Sequence, residues 1–355
     1  MTTHVTRFAP VLAVVLSVLA TGSEGYAQQP HFDRLAAESL ATGVPSDRVA
    51  GPAGEMRVAR TGCEALPINE TRRRIVDISV QEWAFFGFSL RDRTAPSTRG
   101  RQQTIQFTPG APQINQGQNS QGRRRRGRMS AEQFSRLAPS IAGFWATTPD
   151  GSWMLERQND AADSPRGASR WRDPWSAAFI SWVMCEAGLT TSQFDRSIAH
   201  RDYIDQAIRA RDGRDSRAAF VAYDMGEMEI NPGDLLCSGS RPDYRTIDAR
   251  RRQMGDGART HCDIVVKVDT AARQILTIGG NVGGTVSMKV FPAVREKGDN
   301  LHPRSDIFAH LKLKADPIEL FALEASPTID AMGCAVGFEP PTQLATLDLP
   351  QANVC

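Results

Sequence analysis

The feature that most constrains the fold is a change in the spacing of apolar residues partway along the chain. Up to about residue 207 they recur with the period of a helix, and beyond it they form the short runs typical of strands. The pattern predicts helices over about 72–86, 130–145, 174–187 and 200–207, and strands over about 235–237, 260–268, 274–278, 286–292 and 307–313. Helices followed by a run of strands predict an α+β fold, with N-terminal helices packed on an antiparallel sheet.

The two ends of the chain differ in composition from this region. Residues 1–27 combine a basic start, a short apolar run and a small-residue exit, which is typical of a cleaved signal peptide. The run is shorter than the roughly 20 residues that span a bilayer. We therefore expect no transmembrane segment and a soluble protein exported to the periplasm or the extracellular space. We also expect a flexible leader over residues 28–62 and an irregular, Pro-rich extension over 313–355.

The domain itself is expected to occupy residues 63–312, with one insertion. Residues 95–128 are rich in Gln, Asn, Gly, Pro and Arg, so they supply no core and are expected to be disordered. The arginine run that ends this insertion is either a solvated linker or a contact to anionic envelope polymers. A formal net charge of +2 argues against a dedicated nucleic-acid surface.

The cysteine content and the absence of several known motifs restrict the chemistry expected of this chain. Six cysteines are an even set, which in an exported protein predicts disulfides. The sequence leaves the pairing open, and Cys237–Cys262 and Cys334–Cys355 are the first pairs to test. No CxxC, HExxH, Walker or GxSxG sequence is present, so we expect no bound metal and no cofactor.

A serine lies at the start of the helix predicted over 174–187. Asp173 is a good N-cap, Pro174 suits the first helical position, and Gly188 can end the helix. Ser176 then falls in the first turn, near the positive end of the helix dipole, where reactive side chains are often placed. Two interpretations stay open for Ser176: a catalytic or ligand-contacting residue, or a small residue that permits close packing.

The strands predicted over 260–268 and 274–278 form a hairpin with a turn centred near Ala271. His261 and Asn281 lie equally far from that centre, so they are expected to face each other across the two strands. Cross-strand partners lie about 5 Å apart on one face of a sheet. The Asn281 amide is therefore expected to orient the His261 ring, as the third member of a catalytic triad does.

Four segments resemble, in order and spacing, the papain-like NlpC and CHAP superfamily of cell-wall amidases and peptidases: Trp175–Trp182, Pro232–Leu235, His261–Val266 and Gly279–Asn281. The chain resembles in particular a bacterial branch, domain of unknown function 2272, over about residues 70–312, and Ser197–Ile204 also resembles that branch. The resemblance implies a papain-like fold.

In the catalytic relatives a cysteine opens the helix, a histidine opens the strand, and a polar residue on the next strand orients that histidine. The resemblance assigns these roles to Ser176, His261 and Asn281, with serine in place of cysteine. A cysteine ionises readily from a free pKa of about 8.5. A serine instead needs a base to take its proton and donors to hold the developing charge.

The first functional hypothesis is an exported enzyme acting on amide bonds of peptidoglycan. The second is a non-catalytic module that binds peptidoglycan or an envelope protein, and the third is a purely structural envelope protein. Trp175, His200 and Gly280 are the candidate ligand-contacting residues. Core packing also accounts for Trp175, and His200 is either a second base in the cleft or an ordinary helix residue.

Overall fold

The computed structural model describes residues 31–40, 42–94, 131–162, 171–295, 300–304, 306–347 and 349. The predicted signal peptide and the arginine-rich insertion lie outside these residues. The helices in the described ranges are α1 (Ala37–Leu40), α2 (Ile68–Phe85), α3 (Ala131–Trp145), α4 (Gly151–Ala162), α5 (Ser176–Glu186), α6 (His200–Arg211), α7 (Ile247–Arg251) and α8 (Pro327–Cys334). In the same ranges, two 3-10 helices span Pro45–Arg48 and Thr342–Leu347.

Ten strands accompany them in the described ranges. They are β1 (Val49–Ala50), β2 (Arg57–Val58), β3 (Ser89–Asp92), β4 (Phe220–Tyr223), β5 (Leu235–Arg241), β6 (Arg259–Asp269), β7 (Gln274–Gly279), β8 (Ser287–Val294), β9 (His302–Pro303) and β10 (Ile307–Leu313). The helices and strands predicted from apolar spacing are confirmed, and most of them extend a few residues beyond the predicted bounds.

The main sheet has the order β3-β8-β7-β6-β5-β10-β4, with β9 added beside β8. The α+β class is confirmed, but the expected antiparallel sheet is mixed because β3 runs parallel to β8. The direction of β3 follows from the turn after α2, where Gly87 has a φ of +97° and leads the chain back onto the sheet edge. No apolar pattern marked so short an edge strand.

The main core lies between the helices and one face of the sheet. Helices α2, α3 and α5 pack together there, and α2 and α5 contact β6. Large side chains such as Trp83, Phe144 and Trp182 are fully buried in this layer and belong to the same apolar cluster as Ile264 and Val266 of β6. The opposite face of the sheet carries a smaller apolar cluster that includes Val265.

The described part of the segment expected to be a flexible leader makes specific contacts with the domain. Arg48 is buried and its Nη2 lies 2.5 Å from Oε1 of Glu186, at the end of α5. A disulfide joins Cys63 to Cys185 in the same helix. A buried guanidinium needs such a partner because an unpaired buried charge is costly.

The remaining disulfides bear on two sequence-based expectations. Cys237 and Cys262 are bonded across β5 and β6, which confirms the first predicted pair. Cys334 is also disulfide-bonded, and its expected partner Cys355 lies outside the described residues. The extension beyond residue 313, expected to be irregular, contains α8 and a 3-10 helix whose apolar residues join the main core.

Candidate functional site

Ser176 is the first residue of α5, and its side chain is partly exposed. The expected N-cap was wrong: Trp175 occupies the cap position, and no side chain caps the helix. Asp173 instead pairs with Arg157, with nitrogen–oxygen distances of 3.2 and 3.3 Å. The N–H groups of the first turn have no partner within the helix, so the serine lies where negative charge is favoured. Gly188, with a φ of +93°, follows the end of the helix as predicted.

His200 is the direct partner of this serine. Its Nε2 lies 2.7 Å from Ser176 Oγ. His200 is the first residue of α6 and is buried, with 4 % of its surface exposed. On the other side of the ring, Nδ1 accepts a hydrogen bond from the Cys262 amide at 3.2 Å and contacts the Tyr203 hydroxyl.

The Cys262 amide is available because the strand pairing stops beside it. Cys262 faces Cys237 of β5 with a Cα–Cα distance of 4.1 Å, which is typical of an antiparallel pair that exchanges no hydrogen bonds. Its N–H therefore points away from β5, toward β7. Because β7 ends at Gly279, this N–H meets the His200 ring in place of a strand carbonyl.

A second hydrogen-bonded group lies on β6 and β8. His261 Nε2 lies 2.9 Å from Oδ1 of Asp263, and Lys289 Nζ lies 2.9 and 2.7 Å from the two oxygens of the same carboxylate. Burial raises the pKa of Asp263, but the charges of Lys289 and His261 outweigh it and hold that pKa well below its ordinary value. The carboxylate is therefore ionised and accepts the Nε2 hydrogen of His261.

Burial also determines the charge states of His200 and Tyr203, which lie beside the serine. It lowers the pKa of His200 well below 6.5; His261 and Lys289 add to the effect, and Asp263 opposes it. Burial raises the pKa of Tyr203 well above 10.0. Both rings are thus neutral near pH 7.

The two groups meet at the end of the sheet where β6 begins. Along β6, Ile264 and Val266 join the core under the helices, and Val265 joins the cluster on the opposite face. His261 and Asp263 share the face of Val265 by the alternation of a strand. The His261 ring meets the His200 ring with a centroid distance of 5.0 Å and an interplanar angle of 60°.

Asn281 does not orient His261 as expected. The predicted register holds where Ile264 pairs with Ile278, but β7 ends at Gly279 and Asn281 lies in a turn with a φ of +56°. Among the described residues Asn281 makes no hydrogen bond to His261, whose partner is Asp263. The chain turns before the two residues come into register.

Trp175 and Gly280, two of the expected ligand-contacting residues, lie in the core. Trp175 is 1 % exposed and its ring packs beside those of Phe86 and Phe144. Gly280 is buried against α5, and a Cβ there would lie 2.5 Å from the Cβ of Phe179. The glycine permits close packing of helix on sheet, which is a structural need.

Three residues of the site were missed. Asp263 is two positions from His261, so strand alternation alone puts both on one face. Lys289 lies between apolar residues of a predicted strand, and a buried lysine needs a carboxylate partner. Tyr203 lies one helical turn after His200 on α6, at the spacing where two side chains meet.

The described residues also limit other kinds of site. No group of three or more His, Cys, Asp and Glu side chains in them is arranged to hold a metal ion. No helix in the same ranges is long and apolar enough to cross a membrane.

Fold and site together define an α+β protein with a polar site at the end of a mixed sheet, built from a helix N-terminus, two histidines and a buried carboxylate. The chain belongs to domain of unknown function 2272 (DUF2272), a family described as uncharacterized proteins conserved in bacteria, whose model matches residues 136–313. No curated protein and no solved structure matches the chain. The matched segment includes Ser176, His200, His261 and Lys289.

Proposed function

We propose that this protein is an exported hydrolase of papain-like fold that cleaves amide bonds in peptidoglycan, with Ser176 as nucleophile and His261 as general base. The observation that carries the proposal is the His261–Asp263 hydrogen bond. An ionised carboxylate that holds one imidazole nitrogen leaves an electron pair on the other, which is the arrangement of a catalytic triad. Asp263 takes the role that the sequence assigned to Asn281.

The proposed chemistry proceeds in two steps. Nδ1 of His261 takes the Ser176 proton while Oγ bonds to the carbonyl carbon of the amide, and the carbonyl oxygen becomes an oxyanion. The N–H groups of the first turn of α5, which have no partner within the helix, are the donors proposed to hold that charge. The imidazolium, stabilised by Asp263, gives its proton to the leaving amine, and water then releases the acyl group from Ser176.

The placement of the residues supports this assignment. Ser176 contacts one edge of the His200 ring, and the His261 ring packs against that same ring. Catalytic hydrogen bonds are often long before substrate binds and shorten in the complex. Lys289 stabilises the His261–Asp263 pair, because its charge keeps the buried Asp263 carboxylate ionised.

Peptidoglycan is proposed as substrate on two grounds. The segments that carry Ser176 and His261 resemble those of cell-wall amidases and peptidases. Disulfides form and persist in oxidising compartments such as the periplasm, and this chain forms two between described cysteines.

A second candidate is a non-catalytic module that binds the same wall peptides. One observation favours it: among the described residues Ser176 Oγ bonds to His200 and not to His261. A serine in this position also lacks the ready ionisation of a thiol. Such a module would keep the cleft and its donors without turnover.

The test is mass spectrometry of muropeptides released from purified peptidoglycan. We expect wild type to release a product, Ser176→Ala to release none, and Asp263→Asn to lower the rate by about 10³–10⁴-fold because the histidine loses its orienting carboxylate. Ser152→Ala is the matched control, since it makes the same chemical change on the exposed face of α4.

The other outcomes are equally specific. Turnover that survives Ser176→Ala would exclude the serine mechanism. If only Ser176→Cys released a product and wild type bound peptidoglycan without cleaving it, the protein would be the non-catalytic binding module. An Asn281→Ala variant as inactive as Asp263→Asn would return the orienting role to Asn281.

A further inference from the structure

We infer that His200 is a positioning residue that donates its Nε2 hydrogen to Ser176 Oγ, and that it does not accept the serine proton. Its catalytic consequence rests on the proposed function. Its structural part, the ring tautomer and the direction of the hydrogen bond, stands without it.

The direction follows from a backbone amide. The Cys262 N–H can only donate, so the His200 Nδ1 that it contacts must offer an electron pair. A neutral imidazole carries one hydrogen, which is then on Nε2. Nε2 faces Ser176 Oγ at 2.7 Å, so His200 is the donor and the serine oxygen is the acceptor.

Tyr203 strengthens the same tautomer. Its hydroxyl contacts the same Nδ1 and donates to it, since that nitrogen carries no hydrogen. Reversing the tautomer would place an N–H at Nδ1 against the Cys262 N–H, which can only donate, in a buried position. Each buried polar group left without a partner costs about 1–3 kcal/mol, so the reversal is strongly opposed.

The charges around the ring keep it neutral. Burial opposes a second proton on His200 most strongly and so lowers its pKa; His261 and Lys289 also oppose that proton, whereas Asp263 favours it. Asp263 is already engaged by His261 and Lys289. His200 therefore remains a one-hydrogen ring over the pH range in which histidines usually titrate.

This arrangement directs the serine. Because His200 donates to one electron pair of Oγ, the Ser176 hydrogen must point away from that ring. The base has to lie elsewhere, and His261 is the other imidazole at the site. His200 thus selects one rotation of the hydroxyl before substrate arrives, which lowers the entropic cost of reaching the reactive geometry.

The first test is NMR of the full chain with isotope-labelled histidine. The chain has six histidines, and the His200→Gln variant assigns the His200 signals by their loss. We expect an unprotonated Nδ1 and a protonated Nε2 at about pH 6.5 and above, because the pKa of His200 lies well below that ordinary value. The opposite tautomer, or a second proton on the ring near pH 6, would overturn the inference whether or not the protein is a hydrolase.

The second test compares two substitutions in the muropeptide assay. His200→Gln keeps an N–H donor and removes any basic nitrogen, so it should retain kcat within about tenfold, with an unchanged pH profile. His200→Leu removes the donor and should lower kcat by about 10²-fold with little change in KM. A base role predicts that both variants are equally inactive. Circular dichroism of both variants checks that they fold, and inactive wild type would count against the proposed function alone.

Discussion

Asp77 shows at the scale of one residue how burial decides a charge state. This carboxyl on α2 is 8 % exposed, and its Oδ1 has no hydrogen-bond partner among the described residues. Burial raises its pKa to about 7; Arg73 opposes the rise, Glu319 adds to it, and Arg74 opposes it. Arg73 and Arg74 lie four and three residues earlier on the same helix, but the burial that dominates the pKa comes from tertiary packing.

Asp77 predicts a specific pH dependence of stability. Its folded pKa of about 7 lies above the ordinary aspartate value of 3.8, so the folded state keeps a proton that the unfolded state releases between these values. The contribution to the free energy of unfolding is complete below about pH 4 and is lost as pH rises through about 7, by at most about 4 kcal/mol.

Asp77→Asn removes this titration. The free energy of unfolding of wild type minus that of the variant should therefore fall between about pH 4 and about pH 7, as measured by urea denaturation. Asp160→Asn, at an exposed position on α4, is the control. Parallel stability curves for wild type and Asp77→Asn would contradict the prediction.

At the scale of elements, the contact of α5 with β7 sets where the site lies. Gly280 follows β7 and packs on Phe179 of α5 and on Trp175, the residue before this helix. A glycine is needed there because a Cβ would lie 2.5 Å from the Cβ of Phe179, which no side-chain rotation relieves. The neighbouring Gly279 likewise leaves room for the Asp263 carboxylate, which a Cβ would meet at 1.9 Å.

Gly280→Ala should therefore destabilise the protein. Separating helix from sheet to admit one methyl group costs about 1–3 kcal/mol in a packed core, measured as a shift in the urea midpoint. Gly257→Ala is the matched control, since a Cβ there meets nothing within 4 Å. Equal midpoints for the two variants would show that α5 is not held tightly against the sheet.

At the scale of the whole molecule, two disulfides close loops of very different length. Cys63–Cys185 spans 122 residues and ties the N-terminal segment to the end of α5, whereas Cys237–Cys262 spans 25 residues. A longer closed loop removes more entropy from the unfolded chain. The Cys63–Cys185 bond thus holds the N-terminal segment to the rest of the domain. The Cys237–Cys262 bond holds the adjacent strands β5 and β6 together beside the site.

Removing each bond by paired alanine substitutions should give different losses of stability. Loop entropy predicts about 5 kcal/mol for the Cys63–Cys185 bond and about 3.5 kcal/mol for the Cys237–Cys262 bond. Denaturant unfolding without reductant measures both. A larger loss from the Cys237–Cys262 pair would mean that strand packing and not chain entropy dominates.

Local patterns determined much of this protein. The spacing of apolar residues predicted four of the eight helices and five of the ten strands in the described ranges, together with the α+β class. Each of those elements buries one face, and the period of that face is set by the element's geometry. Cys237–Cys262 was also among the first pairs to test, and each of the two cysteines lies in a predicted strand. Ser176 was found at a helix start and His261 at a strand start, since both positions depend on nearby residues.

The partners of these side chains were decided by the tertiary structure. Ser176 meets His200 because α5 and α6 begin at the same end of the sheet, and His261 meets Asp263 because β7 ends before Asn281 comes into register. The parallel edge strand β3 and the reach of Lys289 to Asp263 likewise depend on contacts between segments far apart in sequence. Such contacts follow from packing and charge burial in three dimensions, which no local spacing encodes.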